Sequence, residues 1–194
     1  LERVDAFDAG VVVALRSGGD HVLRVLPHDD LAGPGRVVRS RFPGGEVYLE
    51  STPRYDASAV LIVDEAYTEP AVWSEVDLAS GAVADVLHRE APGHDPARYV
   101  TERRMFPSAD GTSVPATVVR HRDVPLDGSA PALVYGYGSY EAVFEPFWDP
   151  ALPSLLDRGA VFVFAHLRGG GELGRHWYLD GKLAHKQHTS DDQI

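Results

Sequence analysis

Three tyrosines fall within the six residues Tyr135-Gly136-Tyr137-Gly138-Ser139-Tyr140. A phenol hydroxyl withdrawn from water needs a hydrogen-bond partner, so this cluster calls either for an aromatic-rich packed loop or for hydroxyls kept available to a ligand or reacting group. The glycines between them let the backbone turn sharply and approach another group closely. A continuous apolar run at 132–135 precedes the cluster, and open α/β sheets place their sites at the carboxyl ends of such strands. A second pattern, Gly169-Gly170-Gly171-Glu172-Leu173-Gly174, matches the glycine fingerprint of turns that hold a pyrophosphate on a helix N-terminus. Asp191 and Asp192 stand near the offset of a ribose-binding acid. Residues 182–193, however, contain no second apolar strand for such an acid to end, so a structural glycine turn is the preferred reading. His185 and His188 have a helical spacing that metals use, but no third ligand accompanies them and Lys182 and Lys186 stand beside them. A solvated helical face is expected there, and no metal. Glu172 and Glu145 read as single surface acids. No G-x-S-x-G occurs in the chain, so no nucleophile elbow is present, and Ser139, preceded by Tyr137-Gly138, does not replace one.

Two regimes of pattern surround these residues. From Phe7 to about Leu87 the apolar runs are short and valine-rich, at 11–15, 22–26, 37–38, 47–49, 60–63, 72–76 and 83–87, with Gly, Pro, Asp and Ser between them. Such spacing predicts antiparallel sheet. Asp77-Leu78-Ala79-Ser80-Gly81 predicts a hairpin turn, the unit of propeller blades, although a β-sandwich would show the same pattern. The stretch Glu90-Ala91-Pro92-Gly93-His94-Asp95-Pro96 reads as a linker without regular structure. Beyond it, 101–106 and 114–121 predict a hairpin turned by Asp110-Gly111. The run at 132–135 predicts a buried strand, and Leu152, Leu155 and Leu156 predict a helix closed by Arg158-Gly159. A second buried strand, 160–165, is the most apolar run of the chain. Strand–helix–strand–helix with continuous apolar strands predicts a parallel α/β sheet covered on both faces.

The second half, from about Arg98 to Ile194, resembles the start of the catalytic domain of the prolyl oligopeptidase family of serine peptidases. The resemblance is carried in order by Asp110-Gly111-Thr112-Ser113-Val114-Pro115, the tyrosine cluster, Leu155-Leu156-Asp157-Arg158-Gly159, and the block Ala165-His166-Leu167-Arg168-Gly169-Gly170-Gly171-Glu172-Leu173-Gly174-Arg175-His176-Trp177-Tyr178. Gly181-Lys182-Leu183 and Lys186 complete it. The Tyr-Gly-Ser-Tyr form, with Ala91-Pro92-Gly93-His94-Asp95-Pro96 before it, is most similar to the oligopeptidase B branch, and the first half is similar to the last blade of that family's propeller. The resemblance implies a β region followed by α/β: terminal propeller blade or blades over residues 1–97, joined to the N-terminal part of an α/β-hydrolase domain over 98–194. It also implies that the Ser-Asp-His triad lies beyond Ile194, so that the chain alone is inactive. Tyr137 then matches the tyrosine that donates to the oxyanion, Tyr140 an aromatic at the wall of the substrate side-chain pocket, and Glu145 an acid that faces basic residues of the substrate. Phe147 occupies the place of a second acid of that pair.

Composition narrows the partners. With 29 acidic against 18 basic residues the formal net charge is -11, which disfavours nucleic acid and, as a field, favours cationic ligands. The absence of cysteine excludes disulfides and thiolate chemistry and fits a reducing, cytoplasmic compartment. No apolar stretch approaches the about 20 residues of a membrane span, so no membrane partner is expected. The expected partners are a short peptide substrate and the remainder of the parent catalytic domain, with no cofactor. Two other classes remain open at this stage: a non-catalytic β-rich binding module, and a nucleotide-binding protein acting through the glycine turn at 169–174.

Overall fold

Val-rich segments form strands here because β-branched side chains fit a pleated, half-buried surface. The computed structural model describes residues 1–194. It divides into two compact units, one of residues 1–91 with 146–148, the other of residues 92–145 with 149–194.

The first unit holds two four-stranded antiparallel meanders. Strands β1 (Arg3–Phe7), β2 (Gly10–Ser17), β3 (Asp20–Leu26) and β4 (Arg36–Val38) pair in chain order, as do β5 (Glu46–Leu49), β6 (Ala59–Ala66), β7 (Glu69–Asp77) and β8 (Val83–His88). Each valine-rich run lies in one of these strands. Gly18 and Gly19, both at positive φ, close the tight turn in which Ser17 faces Asp20; side chains with a Cβ resist that backbone. At the β7–β8 turn the Asp77 carboxylate accepts from the Ser80 amide and hydroxyl, each at 2.6 Å, and Gly81 takes φ 70°. Phe7, Val12, Leu23 and Val25 from the first sheet and Val47, Ile62, Val76 and Leu78 from the second sheet and its turn form one buried core. Burying each such side chain contributes about 1.5–3 kcal/mol. Residues 146–148 join this unit through the Tyr48 hydroxyl, which donates to the Pro146 carbonyl at 3.3 Å, and the Trp148 amide, which donates to Glu65 at 3.1 Å.

The second unit is a four-stranded mixed sheet, ordered β11-β12-β10-β9, made of β9 (Tyr99–Pro107), β10 (Ser113–His121), β11 (Ala132–Tyr135) and β12 (Val161–Ala165). Only β11 and β12 run parallel; β10 is antiparallel to both β9 and β12. The α/β reading therefore holds for the βαβ step through α1 (Ala151–Leu156), and the antiparallel hairpin flanks it. Strand β11 departs from the expected burial. It lies at the sheet edge, and Leu133, Val134 and Tyr135 are roughly half exposed. The predicted linker runs at its last residue into one ordered turn, a 3-10 helix at Pro96–Arg98, because the Asp95 carboxylate accepts from the Ala97 amide and caps it. Val114, Ala165, Leu167 and Trp177 form the core beside the site. No helix is long and apolar enough to cross a membrane.

Candidate functional site

The loop at 136–150 leaves β11 at its carboxyl end and returns the chain to α1. Gly136 and Gly138 bracket Tyr137, and a Cβ on either would press on Leu167 and on the backbone of Ala165 or Arg168. The two glycines let this loop lie directly on the segment that follows β12. Tyr137 is 43% exposed; its ring meets Phe144 edge-on with centroids 5.2 Å apart, and its hydroxyl makes no hydrogen bond within the chain. Tyr135 contacts the same Phe144, which stacks in turn near Phe164. The cluster is thus divided. Its rings are partly packed, while the hydroxyl of Tyr137 stays open and Tyr140 stands in solvent at 85% exposure.

Tyr140 and Glu141 both occupy the left-handed region, at φ 58° and 57°. For side chains with a Cβ this costs about 1–3 kcal/mol each and persists only where the surroundings enforce it. Three contacts do so. The Glu141 amide donates to the Gly169 carbonyl at 3.1 Å, the Ala142 amide donates to Ser139 at 3.0 Å, and the Glu141 carboxylate pairs with Arg175. The strain turns Tyr140 outward and returns the chain past the exposed Glu145.

The glycine turn faces this loop. Gly169 sits at φ 95°, and a Cβ there would collide with the Gly138 carbonyl; one on Gly171 would meet the Glu141 carbonyl. The amides of Gly169, Gly170, Gly171 and Gly174 donate to Trp177, Leu167, Ala142 and Gly171, respectively, at 2.9–3.2 Å. A pyrophosphate cradle needs those amides unengaged and a helix beyond them, whereas the helix that follows, α2 (Arg175–Leu179), is five residues long. The dinucleotide reading fails on this geometry. The glycines serve close packing of one loop on another.

Sequence reasoning gave no bracing role to the charged residues that hold the two loops. The Arg168 side chain is only 3% exposed and pairs with Asp192, whose side chain is fully buried, at 2.6 Å, and with Asp110 at 2.7 Å. Its backbone amide also donates to Asp192 at 2.9 Å. The Arg168 guanidinium, helped by the Thr112 amide, holds the Asp110 carboxyl well below the usual carboxylate range. Lys186 donates to the Gly138 carbonyl at 2.5 Å and the Ser139 hydroxyl at 2.6 Å. The available signal was a charge at Arg168, three residues past the end of the apolar strand at Ala165; the 24-residue separation of its partner carries no periodicity. Glu172 is 5% exposed rather than a surface acid, because the glycine turn folds over it. The His185 and His188 rings lie 5.6 Å apart, and His188 Nδ1 faces the Asp180 carbonyl at 2.8 Å. No group of three or more His, Cys, Asp or Glu residues assembles into a metal-binding set.

Four-stranded β meanders, followed by an α/β unit whose glycine–tyrosine loop opens at the carboxyl end of a parallel strand, define the class: an antiparallel β region joined to an α/β unit. Known proteins share that arrangement. The Prolyl oligopeptidase family profile matches residues 148–194. Dipeptidyl aminopeptidase BI of Pseudoxanthomonas mexicana is 38% identical over all of the chain and 27% of its own length, and Protease 2 of Moraxella lacunata is 36% identical over all of the chain and 28% of its own. The structure of oligopeptidase B from Leishmania major superposes with a TM-score of 0.89 at 30% identity, covering the whole chain and 28% of that structure. Along its whole length the chain is similar to members of the prolyl oligopeptidase family. It spans 27–28% of the length of these curated relatives.

Proposed function

We propose that the chain is part of a serine oligopeptidase that hydrolyses short peptides by acyl transfer, after basic residues. In this reading residues 1–97 belong to its propeller and residues 98–194 to the N-terminal part of its α/β-hydrolase catalytic domain. The observation that carries it is the Tyr137 hydroxyl, left without a partner at the carboxyl end of β11 in a loop braced on both sides. As a nucleophile adds to the scissile carbonyl, charge gathers on its oxygen. A fixed phenol O–H aimed at that oxygen binds the transition state better than the ground state, which is what accelerates the step. Tyr140, exposed and held outward by its strained backbone, supplies an aromatic wall for the substrate side chain. Glu145 supplies negative charge toward basic side chains, in keeping with the net charge of -11.

The attacking hydroxyl and the rest of the triad come from the remainder of the catalytic domain, the chain's intramolecular partner, since no nucleophile elbow is encoded here. The 194-residue chain on its own is expected to be inert toward a fluorophosphonate probe that labels the full-length protein. Stoichiometric labelling of the isolated chain would overturn this assignment of the nucleophile. For specificity, Glu145→Gln in the full-length protein is expected to raise KM for peptides with basic residues flanking the cleaved bond by about 2- to 5-fold, the scale of one exposed charge contact. KM for neutral peptides is expected to hold. Equal effects on both peptide sets would remove Glu145 from substrate recognition. The decisive test of the whole reading is Tyr137→Phe, and an unchanged kcat would exclude Tyr137 from the oxyanion hole.

A further inference from the structure

Tyr137 sits between two glycines, the residues least able to hold a backbone in place. Its ring contact with Phe144 restrains the side chain but not the peptide that carries it. Something outside the loop must fix that peptide if the hydroxyl is to be aimed within a fraction of an ångström. The contacts converge on Lys186. Its three N–H donors meet three acceptors: the Gly138 carbonyl at 2.5 Å, the Ser139 hydroxyl at 2.6 Å and the Thr189 hydroxyl at 3.1 Å. None of the three is a carboxylate, and partial burial lowers the Lys186 pKa from its ordinary value. A lysine that satisfies neutral oxygens while being withdrawn from water gains nothing from an ion pair; what it gains is geometry.

The surroundings favour the same role. Thr189, 6% exposed, lies with its hydroxyl 2.7 Å from the Arg168 carbonyl and 3.3 Å from that of Gly138. The Gly138 carbonyl also occupies the space that a Cβ on Gly169 would take. One ammonium head therefore ties the tyrosine loop to the segment at 186–189, and through Thr189 to the glycine turn. A compact, rotatable head with three donors suits three oxygens around one point, whereas the planar fork of arginine does not.

We propose that Lys186 is a positioning residue for the oxyanion donor: it clamps the Gly138–Ser139 peptide and thereby fixes where the Tyr137 hydroxyl points. This rests on the reading of Tyr137 as that donor, and a double-mutant cycle in the full-length protein separates the two. Lys186→Met is expected to lower kcat about 10- to 100-fold, the scale of a displaced catalytic group, with KM within about twofold. In a Tyr137→Phe background the same substitution is expected to cost no more than about twofold, because there is no longer a hydroxyl to aim. Lys182→Met is the control. Its ammonium lies over the Tyr178 ring, 4.6 Å from the centroid, and its loss is expected to leave kcat unchanged. Full kcat in Lys186→Met, or equal fractional losses in both backgrounds, would overturn the clamp while leaving Tyr137 in place. An unchanged kcat in Tyr137→Phe would overturn both. Should Lys186→Met fail to fold, as read from its thermal midpoint, Lys186→Arg serves in the same cycle; it keeps the charge but loses the three-point contact, and the same non-additivity is expected.

Discussion

Phenylalanine at position 137 is expected to lower kcat for peptide hydrolysis by the full-length protein about 10²–10³-fold, with KM within about twofold. The asymmetry follows from where the charge appears. In the bound peptide the scissile oxygen is a neutral carbonyl that gains little from one more donor; in the tetrahedral transition state it carries nearly a full charge. A preorganised donor at that oxygen contributes about 3 kcal/mol, and each 1.36 kcal/mol is about a decade in rate. The substitution removes only the hydroxyl. The ring stays against Phe144 and the backbone of Gly136 and Gly138 stays against Leu167, so the thermal midpoint should not move. A kcat loss accompanied by a lowered midpoint would point instead to a damaged loop. The substitution distinguishes chemistry from packing because this hydroxyl has no intramolecular partner to lose.

How far the residues announced this arrangement depends on the range of the interaction that decides each part. The valine-rich runs were readable as strands because alternation and β-branching are local, and each run lies in β2 to β8. Strand β1 was missed. Arg3-Val4-Asp5-Ala6-Phe7 buries only Phe7, and its pairing with β2 is a tertiary fact. The Asp110-Gly111 signal correctly marked a turn, but Ser113 faces Pro107 across a loop longer than the two-residue form, closed by the Ser108 amide donating to the Thr112 carbonyl at 2.8 Å. Strand β11 looked buried because its four residues are uniformly apolar or aromatic. Such a run reports the face it would cover, not whether a neighbour is present, and within this chain it is an edge. At the site, the glycines and tyrosines were legible because their types restrict backbone and hydroxyl directly. The bracing charges were not: the pairing of Arg168 with Asp110 and Asp192 spans 58 and 24 residues and follows no period. Asp192, weighed as a ribose ligand in the sequence, instead neutralises an arginine buried under the glycine turn.

That pairing yields the largest stability effect expected of a single substitution. Asp192→Ala should destabilise the protein by about 3–5 kcal/mol, the cost of stranding a buried charge. The Arg168 side chain is 3% exposed and that of Asp192 fully buried, so water cannot replace the lost carboxylate without opening the turn. Asp192 also accepts the Arg168 amide at 2.9 Å, and its removal leaves a main-chain donor unsatisfied as well. Asp110 remains, but it is 41% exposed and reaches a different nitrogen of the guanidinium. Asp192→Asn, which keeps an acceptor for the amide, should fall between Ala and wild type. Arg168→Met combined with Asp192→Leu should be less damaging than the sum of the two single changes, because no buried charge is then left alone. Denaturant midpoints of these five variants, the two single changes included, measure this order. An Asp192→Ala protein within about 1 kcal/mol of wild type would mean that the pair is worth no more than a surface ion pair. The location gives the result a functional edge. Asp192 closes the helix α3 (Gln187–Asp191), the turn that carries Thr189 next to Lys186, so releasing Asp192 loosens the clamp on Gly138 from behind. The same variant, assayed at a temperature where it is fully folded, should therefore lose kcat in proportion to the freedom it gives the Tyr137 loop, and it should lose none of it when residue 137 is already phenylalanine.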